Sequence, residues 1–259
     1  MNENEAKIIS VDFKASFGFL KKYDINEDIY LTYNCLHKPA LLGIFGAIIG
    51  LKGHYQAFVG NRDEPEYFEL LKNIKVGIRP LQSSNGNFQK TVIAYNNSVG
   101  YASKETGGNL IVKEQTLILP SYRVYILLSD DEYSMKIHHY LNSNEAEYIP
   151  YLGKNDFQIS WDKPIDYKAI KFNADSSFSV SSIFIKEGLM KEHMSRMMRI
   201  RSNLFMYFES LPIGFHSITK NYKLAEFVFT NAVFESEFRL NNLYEIESKD
   251  SRKEIIQVF

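Results

Sequence analysis

The run HKPALLGIFGAIIGLKG, residues 37–53, constrains this chain more than any other feature. Leu41 to Leu51 is an uninterrupted apolar stretch, entered through a polar turn that holds Asn34, His37, Lys38 and Pro39. Such a stretch reads as a buried helix. Proline suits its first turn, where the missing N–H has no partner to lose. Gly43, Gly46 and Gly50 fall at i, i+3 and i+7, leaving one face nearly flat. Each interior glycine costs ~1 kcal/mol relative to alanine. Three of them therefore point to close approach by another backbone. The N-terminus of a helix also offers free N–H groups and a positive dipole end to a phosphate.

The apolar run is too short to span a bilayer. The opening residues, MNENEAK, are polar and partly acidic, unlike a secretory or transit segment. The expected compartment is the cytoplasm, with no membrane partner. A single cysteine, Cys35, excludes an internal disulfide framework and a cysteine-based zinc site. With 45% apolar and 14% aromatic residues, the 259 residues can bury one large core or two small ones.

The formal net charge of -1 does not advertise a nucleic-acid binder, but its distribution is uneven. Lys72, Lys75, Arg79, Lys90, Lys104, Lys113 and Arg123 face only Glu105 and Glu114 over that interval. Lys186, Lys191, Arg196, Arg199 and Arg201 face only Glu187 and Glu192. Local basic patches are what contact with a phosphate backbone requires. Ordinary solvated surface is the alternative for either cluster alone.

Alternation predicts strands at residues 7–17, 75–81 and 121–128, and in FQISW. A helix is expected near residues 64–72. Ser129 and Glu132 have capping-box spacing for a second, running through Tyr133–Leu141. Residues 82–114 have no helical period. The turn-rich pieces SSNGNFQ and ETGGN set off TVIAY and LIVKE, a basic hairpin too long for an ordinary loop. The order so far is close to βαββαβ with a hairpin inserted between the middle strands. Beyond Pro164 the chain is strand-rich, in AIKFN, FSVSSIFI, LFMYFES and FVFTNAVF, and reads as an antiparallel annex. The expected division is 1–163 and 164–259. The charged segment 248–254 is expected to fray. The Met-rich basic stretch LMKEHMSRMMRIRS reads equally well as an adaptable surface or as a core helix with its cations outward.

Catalytic motifs are missing. There is no H-E-x-x-H, no Cys-His cluster, no Walker loop and no G-x-S-x-G. His138 and His139 are adjacent on a helix and diverge. Asp130, Asp131 and Glu132 are explained by a helix N-terminus. No metal or other cofactor is expected.

Four segments together resemble the fifth CRISPR-associated (Cas) family, the RAMP-type subunits of type I Cascade. HKPALLGIFGAIIGLKG resembles its first helix and SYRVYILLSDDEY the strand after its hairpin. YIPYLGKNDF resembles its Gly-centred turn, and LPIGFHSITKNYKLAEFVFTN the C-terminal hairpin of the type I-B-like branch. The resemblance implies an α+β, ferredoxin-like (RRM-like) RAMP domain. A β-hairpin thumb would occupy about 82–114, with a strand-rich C-terminal annex. It also implies a task, gripping the 5′ handle of the CRISPR RNA. The Cascade backbone and large subunits would be partners, and target DNA would be met indirectly through the complex. The candidate RNA-contacting residues are Tyr33, Asn34, His37 and Lys38 of the turn. Arg79, Lys90, Lys104, Lys113 and Arg123 of the basic stretch join them, with Lys154 of the Gly-centred turn.

One branch of that family cleaves repeat RNA with a Tyr/Lys/His set. Cleavage needs a general acid and a general base at the scissile phosphate. No histidine lies between Lys72 and Ser134. The reading is therefore a non-catalytic binder. The alternatives are a metal-independent endoribonuclease and a β-rich module that never touches RNA.

Overall fold

Apolar residues on both faces of KIISVDFKA make Glu5–Ala15 the centre of the molecule. The computed structural model describes residues 5–25, 28–96, 110–186, 203–236, 238–247 and 252–259, with residues 104, 106, 198 and 199. Across the main sheet the strands run Lys253–Gln257, Leu243–Glu247, Ile165–Lys171, Glu5–Ala15, Ser121–Leu128, Val76–Leu81. Every neighbouring pair is antiparallel. Ile159–Trp161 pairs with the far end of the central strand, Phe13–Ala15. Residues on both sides of position 163 thus share one sheet.

Among the described residues four helices accompany these strands: α1 (Lys38–Ile49), α2 (His54–Val59), α3 (Glu66–Leu71) and α4 (Glu132–Ser143). Ile9, Val11, Phe13, Val124 and Ile126 pack with Leu41, Phe45, Ile48, Ile137 and Leu141 into the largest core cluster. Ile8, Tyr125, Tyr167 and Ala169, on the opposite face, pack with Ile246, Ile256 and Val258. Each aliphatic or aromatic side chain so buried stabilises the fold by ~1.5–3 kcal/mol.

Of the three glycines in α1, one is sterically required. A Cβ at Gly46 would lie 2.5 Å from the Cβ of Tyr67, so α3 crosses there. At Gly43 the nearest atoms are the Tyr67 ring at 3.8 Å, an ordinary contact. Gly50 ends the helix at φ 84, in the left-handed region that glycine enters without a Cβ clash. Within the helix the close approach is therefore made by Tyr67 at Gly46, and at the cap Glu147 would lie 3.0 Å from a Cβ on Gly50. At α4 the cap is Asp131, whose carboxylate accepts the N–H groups of Tyr133 and Ser134. The expected Ser129 instead bonds that same carboxylate through its hydroxyl.

The basic excursion forms an antiparallel hairpin, Lys90–Asn96 with Ile111–Ile118, registered from Lys90↔Leu117 to Asn96↔Ile111. Its tip lies mostly outside the described residues. Phe17–Gly18 adds a short third strand. Tyr30 bridges the hairpin to the body, donating its N–H to the Lys113 carbonyl and accepting from Gln115 N–H. A second hairpin, Met206–Phe215 with Tyr222–Thr230, carries Phe184–Ile185 on its edge. Residues 253–257, partly inside the segment expected to fray, form the edge strand of the main sheet; 248–251 lie outside the described residues. So does most of the Met-rich stretch, apart from a two-residue strand, Met198–Arg199, paired with Val233–Phe234.

Candidate nucleic-acid interface

The segments singled out in the sequence meet around the start of α1. The turn before the helix is closed by Glu209 of the second hairpin. Its carboxylate accepts the N–H groups of Asn34 (2.9 Å) and Cys35 (3.0 Å). Asn34 is a buried hub. Its Oδ1 accepts from Phe88 N–H (3.0 Å) and Lys90 Nζ (2.9 Å), and its Nδ2 donates to the Gly86 carbonyl (2.5 Å). Its own carbonyl accepts from the Tyr122 hydroxyl at 2.6 Å. One asparagine thereby ties α1, the root of the thumb-like hairpin and the main sheet together.

His37 is 4% exposed and is the N-cap of α1, its Nδ1 accepting the Ala40 N–H at 3.3 Å. The rings of Tyr33 and Tyr222 close over it, at 5.3 and 5.5 Å between centroids. Burial pushes its pKa down to about 3, so the imidazole is neutral. Lys38 is also buried and donates to the Phe259 carbonyl at 3.0 Å. Burial first, and then the charge of Lys75, lower its pKa to about 8. The start of α1 is therefore sealed, where the sequence reading expected open N–H groups facing a phosphate. The Ala40 N–H is spent on the His37 cap, the Leu41 N–H on the His37 carbonyl, and Pro39 has none to offer.

The basic stretch is likewise mostly engaged. Arg123 forms a two-pronged pair with Asp12 (2.7 and 2.8 Å), which raises its pKa. Arg79 pairs with Glu254 at 3.1 Å, and Lys72 with Glu64 at 2.8 Å. Lys154 reaches Glu114 at 2.7 Å and lies 4.6 Å from the Tyr95 ring centroid. Glu64, Glu254 and Asp12, all from outside the interval, take up part of the excess charge counted in sequence. Lys104 and Lys113 have exposed side chains, as does Lys75.

A different pair of lysines joins Lys113. Leu20–Lys21 pairs with Thr32–Tyr33, folding residues 19–33 against the root of the hairpin. Lys21 Nζ sits 3.7 Å from the Tyr30 ring centroid, and Lys22 Nζ 5.4 Å from that of Tyr33. The half-exposed Tyr23 packs edge-on against Tyr222 at 5.8 Å. Lys90 lies close enough to feel Lys22. Burial chiefly, and Lys22 besides, hold its pKa below the ordinary lysine value, against the opposing pull of Glu209. Lys21, Lys22 and Lys113 thus lie beside Tyr23 and Tyr30 at the surface, with the buried Tyr33 and the part-buried Lys90, which donates to Asn34, behind them. Charge beside aromatic faces is the combination that holds a single-stranded backbone and stacks its bases. Sequence reading passed over Lys21 and Lys22 because Asp24, Glu27 and Asp28 cancel them in any local window. The available signal was the lysine pair and tyrosine of LKKY followed closely by the two tyrosines of IYLTY.

No protein-family model matches this chain, and no curated protein matches it. Several solved structures are similar in backbone. One is a CRISPR protein from Archaeoglobus fulgidus, 12% identical, covering 97% of this chain and 99% of that chain with a TM-score of 0.48. Another is a chain of a CRISPR RNA-guided surveillance complex, 12% identical over 86% of this chain and 90% of that one, TM-score 0.48. A third belongs to a Type III-B Cmr-beta complex bound to cognate target RNA and AMPPnP. It is 12% identical over 88% of this chain and 86% of that one, TM-score 0.49. No helix among the described residues is long and apolar enough to cross a membrane.

Proposed function

We propose that this chain is a non-catalytic RNA-binding subunit of a CRISPR effector complex, gripping the 5′ handle of the CRISPR RNA. The observation that carries this reading is the strip of Lys21, Lys22 and Lys113 beside Tyr23 and Tyr30, at the root of a projecting hairpin. The strand order supports a ferredoxin-like RAMP core. The strands at 159–171, 5–15, 121–128 and 76–81 lie side by side, antiparallel throughout, as βαββαβ connectivity requires. The four segments that resemble the Cas family also meet here. The turn after α4 packs on α1 through Glu147 N–H to Ile48 and Tyr148 N–H to Ala47, while the second hairpin supplies Glu209. The backbone and large subunits of a type I-B-like Cascade are the proposed protein partners, with target DNA reached through the complex.

Binding without cleavage is the form of this reading that the turn favours. His37, the histidine of that turn, is buried, neutral and committed to a cap, which does not suit an acid–base role. The test is the salt dependence of affinity for single-stranded repeat RNA. Replacing Lys21, Lys22 and Lys113 together with glutamine removes three phosphate contacts. The log–log slope then falls by roughly 2, at about 0.7 per contact on a single strand. An unchanged slope would place these lysines outside the RNA path and sink the proposal.

A further inference from the structure

The strip ends at a cavity that the RNA reading does not yet use. It has a volume of about 650 Å³ and opens along the solvent side of α1. Ala40, Gly43 and Ala47 make its floor, a smooth surface on which a flat ring can lie. Tyr148, Ile149 and Tyr151 of the turn after α4 form one wall, all three exposed. The other wall is His54, Tyr55, Tyr67 and Tyr222, with Lys52 at the mouth. His54 is held by the Tyr67 hydroxyl at 3.1 Å and stands edge-on to that ring.

Three properties narrow the occupant. No aspartate or glutamate lines this cavity, whereas Glu5, Asp166, Glu245 and Glu247 line the larger one across the molecule. The larger cavity also carries Lys7, Lys168 and Lys253, so its charge is mixed, while the first has Lys52 and no acid to repel a phosphate. The walls carry tyrosines, which present a stacking face with a polar end and so suit an unpaired base. The cavity is also continuous with the strip. Tyr222 lines it and touches both Tyr23 (5.8 Å) and the capping His37 (5.5 Å), which in turn meets Tyr33. His37 and Tyr33 are buried behind that contact, so the link a strand held by Lys22 meets is the half-exposed Tyr23 against Tyr222.

We propose that this cavity receives one nucleobase turned out of the single strand bound along the lysine strip. The proposal rests on the RNA-binding reading above and adds a base-recognition subsite to it. Tyr148 and Tyr151 cover the base, while Lys52 meets its flanking phosphate.

The test uses the full-length protein and short single-stranded repeat RNAs, each with one 4-thiouridine at a different position. After irradiation, the cross-linked peptides are mapped by mass spectrometry, and affinity is measured over a salt series. The expected result is a cross-link to Tyr148 or Tyr151 from one RNA position. Tyr151→Ala should abolish it, weaken binding about tenfold and leave the salt slope unchanged, because stacking releases no counterions. Ala47→Leu, which fills the floor from the helix without touching the wall, should do the same; matching melting curves exclude unfolding as the cause. Three results would overturn the proposal. RNA that binds with the lysine-dependent slope, yet cross-links nowhere in the cavity and ignores both variants, would remove the subsite and leave the strip. Variants that bind RNA normally but lose a protein partner would assign the cavity to that partner. No RNA binding by the wild-type protein would remove both readings together.

Discussion

Two basic regions, the turn before α1 and the root of the hairpin, look equally suited to RNA in the linear sequence, and the fold treats them oppositely. At the turn, His37 and Lys38 are buried, and each polar atom described above is spent on the protein itself. At the hairpin root, Lys21 and Lys113 are exposed and Lys22 lies over a tyrosine ring. The difference teaches that a helix N-terminus binds an anion only when its donors are left over after capping. Here the capping histidine and two aromatic rings take that space, so the turn becomes scaffold and the neighbouring strip becomes surface.

The sharpest way to break this comparison is acid. His37 has a folded pKa of about 3 against an ordinary value of 6.5. The unfolded chain therefore binds a proton that the folded chain refuses. Stability from this residue is complete above pH 6.5 and is lost as pH falls from 6.5 towards 3, by up to roughly 5 kcal/mol. His37→Asn keeps a good N-cap without a titrating ring. Denaturant melts of the two proteins from pH 7 to pH 4 should diverge, with the variant flatter. Parallel curves would mean that His37 is open to solvent and that the turn resembles the strip after all.

Crowding at α1 ranks next. Gly46→Leu drives a side chain into Tyr67 and should cost ~1–3 kcal/mol or more, seen as a lowered melting midpoint or insoluble protein. Gly43→Ala, three residues away, meets only an ordinary contact and should melt at or above wild type by up to ~1 kcal/mol, the helix-propensity gain over glycine. Equal responses at the two positions would refute the assignment of close approach to Gly46 alone.

The smallest stability effect belongs to the strip. Replacing Lys21, Lys22 and Lys113 with glutamine should shift unfolding free energy by no more than ~0.5 kcal/mol, as exposed substitutions do. The same protein should show the reduced salt slope for RNA. A large loss of stability instead would make these lysines structural and erase the contrast between the regions.

Short-range pattern made much of this molecule legible. The strand at 121–128 has the bounds expected of it, and 76–81 differs from its expectation by one position. The glycine-rich helix starts where Pro39 and the polar turn place it. These features depend on neighbours within a few residues, which the sequence displays directly. The cap of α4 was nearly legible: Ser129, Asp131 and Glu132 are all present, but only backbone geometry chooses Asp131.

Which cations remain available was decided by tertiary structure. Arg79 and Arg123 looked free because no acid stands near them in sequence, yet Glu254 is 175 residues from the first and Asp12 is 111 from the second. Sheet pairing sets Asp12 opposite Arg123, and the backbone bonds between Phe259 and Val76 bring the last strand, with Glu254, beside Arg79. Lys21 and Lys22 looked neutralised by Asp24, Glu27 and Asp28, yet the fold sets them on the rings of Tyr30 and Tyr33 beside the hairpin. Periodicity along the chain determines which residues form helices and strands, because backbone hydrogen bonding is local or repeats with a fixed period. Charge acts through space over a few ångströms, so its balance at any site is set only when distant segments come together.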